Sequence, residues 1–316
     1  MSDDSVSWTG SRTGLAVLVL SAGHASRLAP WSGEHPKTLL PTCEGTLLER
    51  LLGPMARRRP SVHLACRVPA RSTADDVIAE VHAVTPQADV FFVDGDPWVP
   101  IYARARRLNA HDVLVILNGD LVLDREWHSL IARAIDRRTG ITLCADGAGS
   151  AGREVWAQPD LDGRYSPSPT ALTQRAIGVS VLAPGSLDSL DPCMALGADP
   201  WFNRILPELS RHVPVRLETS TAPWSDVGSW RGLLSMEQEL HVGTSTGSCL
   251  AGSVDHRATV RNSLVMAGAS VEAGAAVEDS VVLPGVTVAS GQRIRGSLIS
   301  AHEVRPLEFD AVGTHA

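Results

Sequence analysis

The hydrophobic pattern of the chain changes character near residue 245. Before that point, short apolar runs rich in β-branched residues alternate with stretches whose apolar positions lie three or four residues apart. The first kind of pattern predicts strands buried on both faces, and the second predicts helices that cover them. The clearest strands are Leu15 to Leu20 and Asp112 to Leu117, and the clearest helix is Gly45 to Arg58. This alternation is typical of a mostly parallel sheet in an α/β domain.

The tail after His241 is rich in Gly, Ala, Ser and Val and repeats with a period of 17 residues. Short β steps with an apolar residue at each inner corner indicate a solenoid, with three turns between Ser253 and Ser300. The repeat relates three sets of apolar residues and one set of serines: Val254, Val271 and Val288; Val260, Val277 and Ile294; Val265, Val282 and Ile299; and Ser263, Ser280 and Ser297. We therefore expect one domain at residues 1–245 and a second at 246–316.

The residues that follow the first strand are candidates for binding a phosphate-bearing ligand. Ser21, Ala22 and Gly23 are small, and Arg27 and Lys37 come shortly after them. Small residues let the backbone approach a ligand, and consecutive free amides can hold an anion. Lys37 is the only lysine in a chain with 28 lysines and arginines. Its survival indicates a role for a compact ammonium group that arginine cannot fill.

Two aspartates lie at positions suited to holding a metal ion among phosphates. Asp120 ends the sequence Asn118-Gly119-Asp120 after a buried strand, and Asp226 follows Trp224 much later in the chain. Ligands of parallel sheets bind beyond the carboxyl ends of the strands, so Asp120 can share a cleft with the loop after the first strand. Carboxylates are common Mg2+ ligands near phosphates. Both aspartates also fit ordinary turn or helix-cap chemistry, so the residues alone leave the two interpretations open.

Taken together, these segments resemble the sugar-phosphate nucleotidyltransferases. That family has a strand, a small-residue loop, Arg-Leu-x-Pro and then Pro-Lys-x-Leu-Leu-Pro, and Leu15 to Pro41 matches this pattern. Ala25 stands where the family usually has a second glycine. The tail resembles the hexapeptide repeats that end many of these enzymes, mannose-1-phosphate guanylyltransferases among them. The resemblance implies a Rossmann-like, mostly parallel mixed sheet followed by a short left-handed parallel β-helix.

The resemblance also implies an activity and a role for each candidate residue. The activity is a nucleotidylyltransferase reaction, in which NTP and a sugar 1-phosphate give an NDP-sugar and pyrophosphate, with Mg2+ as the cofactor. GTP is slightly favoured because of the likeness to guanylyltransferases. The implied roles are catalysis for Arg27 and Lys37, nucleotide binding for Ser21, Ala22, Gly23, Asn118 and Gly119, sugar-phosphate binding for Gly178, Arg175 and Trp224, and metal binding for Asp120 and Asp226.

Two departures from the family pattern leave the substrate open. Ser166 to Thr170 replaces a Glu-x-Pro or Glu-Lys-Pro motif, whose lysine meets the sugar phosphate in the family, and Arg175 is the candidate replacement. Asp94 to Tyr102 replaces a Gly-Thr-Ala-Gly run near the base and sugar. One alternative is an enzyme of specialised metabolism that acts on a cyclitol phosphate, such as a valienol-type 1-phosphate. Others are a non-catalytic regulatory subunit of the same fold and an acyltransferase built on hexapeptide repeats.

Composition narrows the partners and the location. A net charge of −7 without a basic stripe argues against nucleic acid. No apolar run approaches the ~20 residues of a membrane helix, and the N-terminus lacks the apolar region of a signal peptide. The five cysteines are odd in number and widely spaced, so we expect neither a disulfide framework nor a zinc site. We therefore expect a cytoplasmic protein, and a homo-oligomer because exposed solenoids often pair.

Overall fold

The structure is a computed structural model, which describes residues 14–23, 25–146, 154–159, 165–167, 173–191, 196, 200–240 and 248–307. Side chains are described throughout these ranges, except those of residues 154–159, 165–167, 173–175 and 203. Within them, no helix combines the length and the apolar character that a bilayer-crossing segment requires.

A nine-stranded mixed sheet with helices on both faces forms the N-terminal part of the molecule. Its elements in chain order are β1 (Leu15–Ser21), β2 (Pro41–Thr42), β3 (Gly45–Thr46), α1 (Leu47–Leu52), β4 (Ser61–Cys66), α2 (Ala74–Val84), β5 (Asp89–Phe92), α3 (Trp98–Asn109), β6 (Val113–Asn118), β7 (Leu121–Leu123), α4 (Arg125–Arg137), β8 (Ile141–Asp146), β9 (Glu154–Pro159), β10 (Tyr165–Pro167), β11 (Thr173–Leu182), α5 (Leu206–Leu209), β12 (Val215–Ser220), β13 (Trp224–Asp226) and α6 (Trp230–Leu240). Single turns of 3-10 helix cover Ser26–Leu28, Trp31–Gly33 and Lys37–Leu39, a longer one covers Gly53–Arg58, and a π turn covers Trp201–Ile205.

The strand order places the candidate loops next to each other. The order across the sheet is β12–β8–β11–β6–β1–β4–β5, with β9 and β10 added beside the start of β11. β1 is parallel to β4 and β6, whereas β11 is antiparallel to β6 and β8. β1 and β6 stay in register to their carboxyl ends, where Leu20 is paired with Asn118. The expected α/β core with a mixed sheet is confirmed, and the loops after β1 and β6 leave the sheet side by side.

Strand β1 is held by apolar layers on both faces of the sheet. Val17 and Val19 join a cluster with α1, α2 and α4, while Ala16 and Leu18 join another with α3 and α5. None of these four side chains is exposed to solvent. Burial of each Val or Leu side chain contributes about 1.5–3 kcal/mol relative to exposure. The loop that follows β1 is therefore anchored on a strand that is buried on both faces.

Helix α4 and the two-stranded pair of β7 with β13 were not expected from the sequence. The α4 pattern is present in the chain, because its buried residues Trp127, Leu130, Ile131 and Ala134 recur at helical spacing. Asp124 caps this helix by accepting a hydrogen bond from the Glu126 amide. Strands β7 and β13 have three residues each, too few to show an alternating pattern.

The C-terminal part is a parallel β-helix of short strands. Its elements are β14 (Cys249–Leu250), β15 (Ser253–Val254), β16 (Thr259–Arg261), β17 (Leu264–Val265), β18 (Ser270–Val271), β19 (Ala276–Glu278), β20 (Val281–Val282), β21 (Thr287–Val288), β22 (Arg293–Arg295), β23 (Ser297–Ile299) and β24 (Val304–Pro306). They form three parallel sheets, β14–β17–β20–β23, β15–β18–β21 and β16–β19–β22, and β24 adds to β23 in the antiparallel sense.

Residues that are 17 positions apart in the sequence are paired in these sheets. Each predicted apolar set stacks in one column: Val254, Val271 and Val288; Val260, Val277 and Ile294; Val265, Val282 and Ile299. The serines form a fourth column, in which the Ser280 amide donates to Ser263 Oγ and the Ser297 amide donates to Ser280 Oγ, both at 3.1 Å. These hydroxyls satisfy buried amides of the next coil. The solenoid is confirmed, whereas the boundary at 245/246 stays a prediction because residues 241–247 lie outside the described ranges.

The β-helix packs against the segment that follows β1. One apolar cluster contains Leu28 and Leu40 from that segment, Trp230 from α6, and Val277 and Val282 from the β-helix. All five side chains are buried. The candidate loop is thus supported by the sheet on one side and by the C-terminal part on the other.

A disulfide bond between Cys43 and Cys249 joins the two parts, with 5.9 Å between the Cα atoms. The sequence, from which no disulfide framework was expected, did not predict this bond. These cysteines are 206 residues apart and meet only when the β-helix docks. Cys66 and Cys144 are free and buried, and burial raises the pKa of both thiols to about 12. These two thiols therefore stay protonated and unreactive near neutral pH.

Candidate functional site

Lys37 and Asp120 form an ion pair beyond the carboxyl end of the sheet. Lys37 Nζ donates to Asp120 Oδ2 at 2.8 Å, and the side chains are only 14% and 29% exposed. Lys37 lies in a 3-10 turn whose other members, Thr38 and Leu39, are buried and fix its position. Partial burial shields this pair from solvent, so its charges interact more strongly than those of an exposed pair. The structure therefore brings together two residues that lie 83 positions apart.

Asp226 is held beside Asp120 by the pairing of β13 with β7. Asp226 lies opposite Leu121, the residue after Asp120. The Val227 amide donates to the Asp120 carbonyl oxygen at 2.7 Å, which ties the two aspartate segments together. Asp226 is exposed, so its carboxylate faces the open side of the site. Asp120, in the turn before β7, and Asp226, at the end of β13, are thus brought to the same edge of this strand pair.

The hydrogen bonding of the Asp120 carboxylate indicates whether a metal ion fits this site. Its Oδ1 atom is buried and accepts no hydrogen bond from any described residue. Leaving such an acceptor unsatisfied costs about 1–3 kcal/mol, and more for a charged group. A divalent cation would satisfy this oxygen, and carboxylate oxygens are the hard ligands that Mg2+ prefers. The residues present at the site therefore fit a magnesium ion.

The loop after β1 is braced by a residue that sequence reasoning missed. Arg67 Nε donates to the Ala22 carbonyl oxygen at 2.6 Å, and Arg67 Nη2 donates to the Gly95 carbonyl oxygen at 2.9 Å. Ser21 Oγ lies 3.4 Å from Thr38 Oγ1, and Gly23 is exposed. One arginine thus fixes the candidate nucleotide loop against the segment that departs from the family pattern. Its position at the end of β4, next to β1, was the available signal.

Two glycines at the site leave no room for a side chain. A Cβ atom on Gly119 would lie 2.4 Å from Thr38 Cγ2, and its amide donates to the Leu20 carbonyl oxygen at 2.8 Å. Gly178 has a φ of 78°, and a Cβ there would lie 2.4 Å from Asn118 Nδ2. The predicted nucleotide residue Asn118 and the predicted sugar-phosphate residue Gly178 are therefore in direct contact.

Arg27 lies on the far side of the loop, close to the turn after Asp226. It is exposed, and a Cβ on Gly228 would come within 2.9 Å of Arg27 Nη2. Ala25, just before it, has a φ of 47°. This left-handed conformation favours glycine. Glycine would therefore fit this position best, and the small alanine is the next least crowded choice.

Strand pairing places the other two residues predicted to bind the sugar phosphate, Trp224 and Arg175. Trp224 is half-buried, lies opposite Leu123 and packs against the core cluster below the sheet. The backbone of Arg175 pairs with Asp146 and Glu154, but its side chain lies outside the described ones. Their roles in sugar-phosphate binding stay predictions.

Comparisons with known proteins agree with this architecture. Residues 234–313 match a family model described as GlmU-like, C-terminal hexapeptide. A crystal structure of a Bacillus anthracis protein, provisionally assigned as a glucose-1-phosphate thymidylyltransferase and in complex with sucrose, superposes with a TM-score of 0.54 at 13% identity. The match covers 74% of this chain and 98% of that one. No curated protein matches the chain. The resemblance seen in the sequence is confirmed in the fold: the chain has the fold of a sugar-phosphate nucleotidyltransferase with C-terminal hexapeptide repeats.

Proposed function

We propose that this protein transfers a nucleotidyl group from a nucleoside triphosphate to a sugar 1-phosphate, or to a pseudo-sugar (cyclitol) 1-phosphate. An oxygen of the acceptor phosphate attacks the α-phosphorus. The bond from the α-phosphorus to the oxygen that bridges to the β-phosphate breaks, and pyrophosphate leaves with that electron pair. The observation that carries the proposal is the Lys37–Asp120 ion pair beside Asp226, at the adjoining loops after β1 and β6.

The residues present suit the physical problem of joining two polyanions. Such a transfer needs alignment and neutralisation of charge more than covalent help from the protein. Lys37 offers a half-buried point charge that can follow the negative charge developing on the α-phosphate. Arg27 offers a planar fork for the leaving β- and γ-phosphates. Ser21, Ala22 and Gly23 supply backbone groups for the base and ribose.

Asp120 and Asp226 would hold Mg2+, which when bound neutralises phosphate charge between the two substrates. Lys37 already satisfies Asp120 Oδ2, so Oδ1 is the oxygen left for the cation. The same lysine keeps the Asp120 side chain oriented, because the 2.8 Å hydrogen bond restricts its rotation. The chain's own contribution is therefore to hold two carboxylates and one ammonium group in a fixed arrangement.

The finer parts of the proposal concern the base, the assembly and the location. GTP is our first expectation, on the likeness to mannose-1-phosphate guanylyltransferases, and the assignment of the Bacillus protein to thymidylyl transfer makes dTTP the second base to test. We also propose a homo-oligomer in the cytoplasm. The Cys43–Cys249 bond means that the cysteines no longer argue for that location, because disulfides persist mainly in oxidising compartments.

The test is pyrophosphate release with Mg2+, across GTP, ATP, UTP, CTP and dTTP and a panel of hexose and cyclitol 1-phosphates. We expect release with one pair, lowered by at least about 10²–10³-fold in Asp226→Ala, by analogy with loss of one charge-stabilising group. Asp75→Ala, which removes an exposed carboxylate on α2, is the matched control and should keep full activity. Binding of NTP without release from any pair would instead favour the non-catalytic regulatory subunit. CoA-dependent acyl transfer would favour the acyltransferase alternative.

A further inference from the structure

We propose that the C-terminal strand β24 completes the leaving-group site, so that Arg305 and Arg231 bind the pyrophosphate end of the nucleotide together with Arg27. This inference rests on the proposed function and adds residues to it that the family pattern in the sequence does not include. It would make the hexapeptide part a contributor to nucleotide binding as well as a support for the fold.

The proposal starts from a hollow at the junction of three elements. The turn after Ala25, the start of α6 and strand β24 surround a small hollow that opens to solvent. Three arginines line it: Arg27 from the loop after β1, Arg231 from α6 and Arg305 from β24. None of the described residues that line it is acidic. Three guanidinium groups at one hollow attract a multivalent anion, and guanidinium forks match phosphate oxygens.

The start of α6 adds to this preference for an anion. Ser229 and Trp230 also line the hollow. Ser229 Oγ accepts a hydrogen bond from the Gly232 amide, and the Leu233 amide donates to the Ser229 carbonyl oxygen. Ser229 thus begins the helix, so the N-terminal end of the 11-residue α6 faces the hollow. The partial positive charge at a helix N-terminus favours phosphate.

The position of Arg305 is fixed by contacts on both sides. Its Nη2 atom and the indole nitrogen of Trp230 both donate to the Ala29 carbonyl oxygen, at 2.5 and 2.9 Å. Its backbone pairs with Leu298 of β23, which is buried. Glu303 lies close, with its Oε1 atom 3.6 Å from Arg305 Nε, so a carboxylate occupies one edge of this guanidinium. Arg305 is therefore held at the hollow. Of its guanidinium nitrogens, Nε is the one that lies within 4 Å of the Glu303 carboxylate.

The hollow adjoins the candidate metal site. Arg27 Nη2 lies over Gly228, two residues from Asp226. A nucleotide whose α-phosphate lies near Lys37 and Asp226 would direct its β- and γ-phosphates towards Arg27. Free inorganic phosphate has the same chemistry as the β- and γ-phosphates of a nucleotide. The test therefore distinguishes binding of the nucleotide from binding of free phosphate.

The experiment measures pyrophosphate binding to the full chain by isothermal titration calorimetry. We expect Arg305→Gln and Arg231→Gln each to weaken binding about 10-fold or more, as for loss of a charge-assisted hydrogen bond. Arg305→Lys, which keeps the charge but loses the fork, should fall between wild type and Arg305→Gln. Arg293→Gln, an exposed arginine on β22, is the control and should bind like wild type. Melting temperatures of all variants identify any that fail to fold.

Two further measurements show whether the phosphate bound in the hollow belongs to the nucleotide. They also test this inference separately from the proposed function. In Arg305→Gln the KM for NTP should rise with no change in the KM for the acceptor. Orthophosphate that binds the hollow without competing with NTP would mark an effector site and overturn the inference. Turnover with unchanged pyrophosphate binding in Arg305→Gln and Arg231→Gln would also overturn it, and the proposed function would stand. Arginine-dependent pyrophosphate binding without turnover would support the inference and contradict the proposed function.

Discussion

The β-helix and the N-terminal α/β core are stabilised by different kinds of contact. In the β-helix one arrangement recurs every 17 residues, so that Val260, Val277 and Ile294 occupy equivalent places in successive coils. In the core the decisive contacts occur once each, such as the ion pair of Lys37 with Asp120. The β-helix can therefore share the loss of one contact among its coils. Among the residues that the structure describes, the Lys37–Asp120 pair of the core site has no such equivalent.

The two parts nevertheless meet at the loop after β1. The shared apolar cluster and the Cys43–Cys249 bond both connect that loop's surroundings to the β-helix. We therefore expect damage to the core site to abolish activity without unfolding the tail. Damage to the tail should reach the site through the docked surface.

The largest effect is expected at Lys37. Lys37→Ala should lower kcat for pyrophosphate release by about 10²–10³-fold, because it removes the positive charge that the proposed mechanism assigns to the α-phosphate. Lys37→Arg should restore only part of this rate, because a planar fork does not replace a point charge at the 2.8 Å contact. Arg57→Ala, an exposed basic residue on the Gly53–Arg58 turn, is the control. Full activity in Lys37→Arg would show that any cation suffices there.

The second largest effect is expected from a charge introduced into the core of the β-helix. Val277→Asp should lower the free energy of unfolding by about 3–5 kcal/mol, as an uncompensated charge enters the β-helix core. Thr259→Asp, at an exposed position of β16, should leave calorimetric stability nearly unchanged. Pyrophosphate release should decline in step with unfolding of the Val277→Asp variant. Undiminished release from a variant whose tail has melted would mean that the core works without the β-helix.

Reduction of the Cys43–Cys249 bond should have a moderate effect. Dithiothreitol should lower the free energy of unfolding by about 2–4 kcal/mol, because the bond closes a long loop in the unfolded chain. Cys43→Ser should show the lower stability already and no further response to reductant. Identical denaturation curves for wild type with and without reductant would argue that the bond does not couple the two parts.

The smallest effect is expected from Ala25→Gly. Removing the side chain from this left-handed position should stabilise the folded state by about 1–2 kcal/mol. The greater freedom of glycine in the unfolded chain should lower the free energy of unfolding by about 0.5–1 kcal/mol. Denaturant titration should therefore show a gain of about 1 kcal/mol or less. Ala56→Gly, in a 3-10 turn, carries only the cost and should be slightly less stable. Equal losses in both variants would contradict the role given to the backbone at Ala25.

The same contrast explains what the sequence could predict. The β-helix was predictable in register because its contacts join residues at one constant spacing. The common cleft of the loop after β1 with Asp120 was predictable because parallel strands end at one edge of the sheet. The pairing of Cys43 with Cys249 and the placement of Arg305 were not, because each joins distant residues through no local pattern. Helix α4 is a different case, because its buried residues do recur at helical spacing in the sequence.

The most direct test of the central claim is Mn2+ binding in the presence of a non-hydrolysable NTP, followed by electron paramagnetic resonance. Mn2+ takes the same oxygen ligands as Mg2+. If Asp120 and Asp226 form one metal–triphosphate site, the wild type should bind the ion with NTP, and both Asp120→Asn and Asp226→Asn should lose most of that binding. Asp75→Asn should bind as the wild type does. Equal Mn2+ binding in all four proteins would contradict the account.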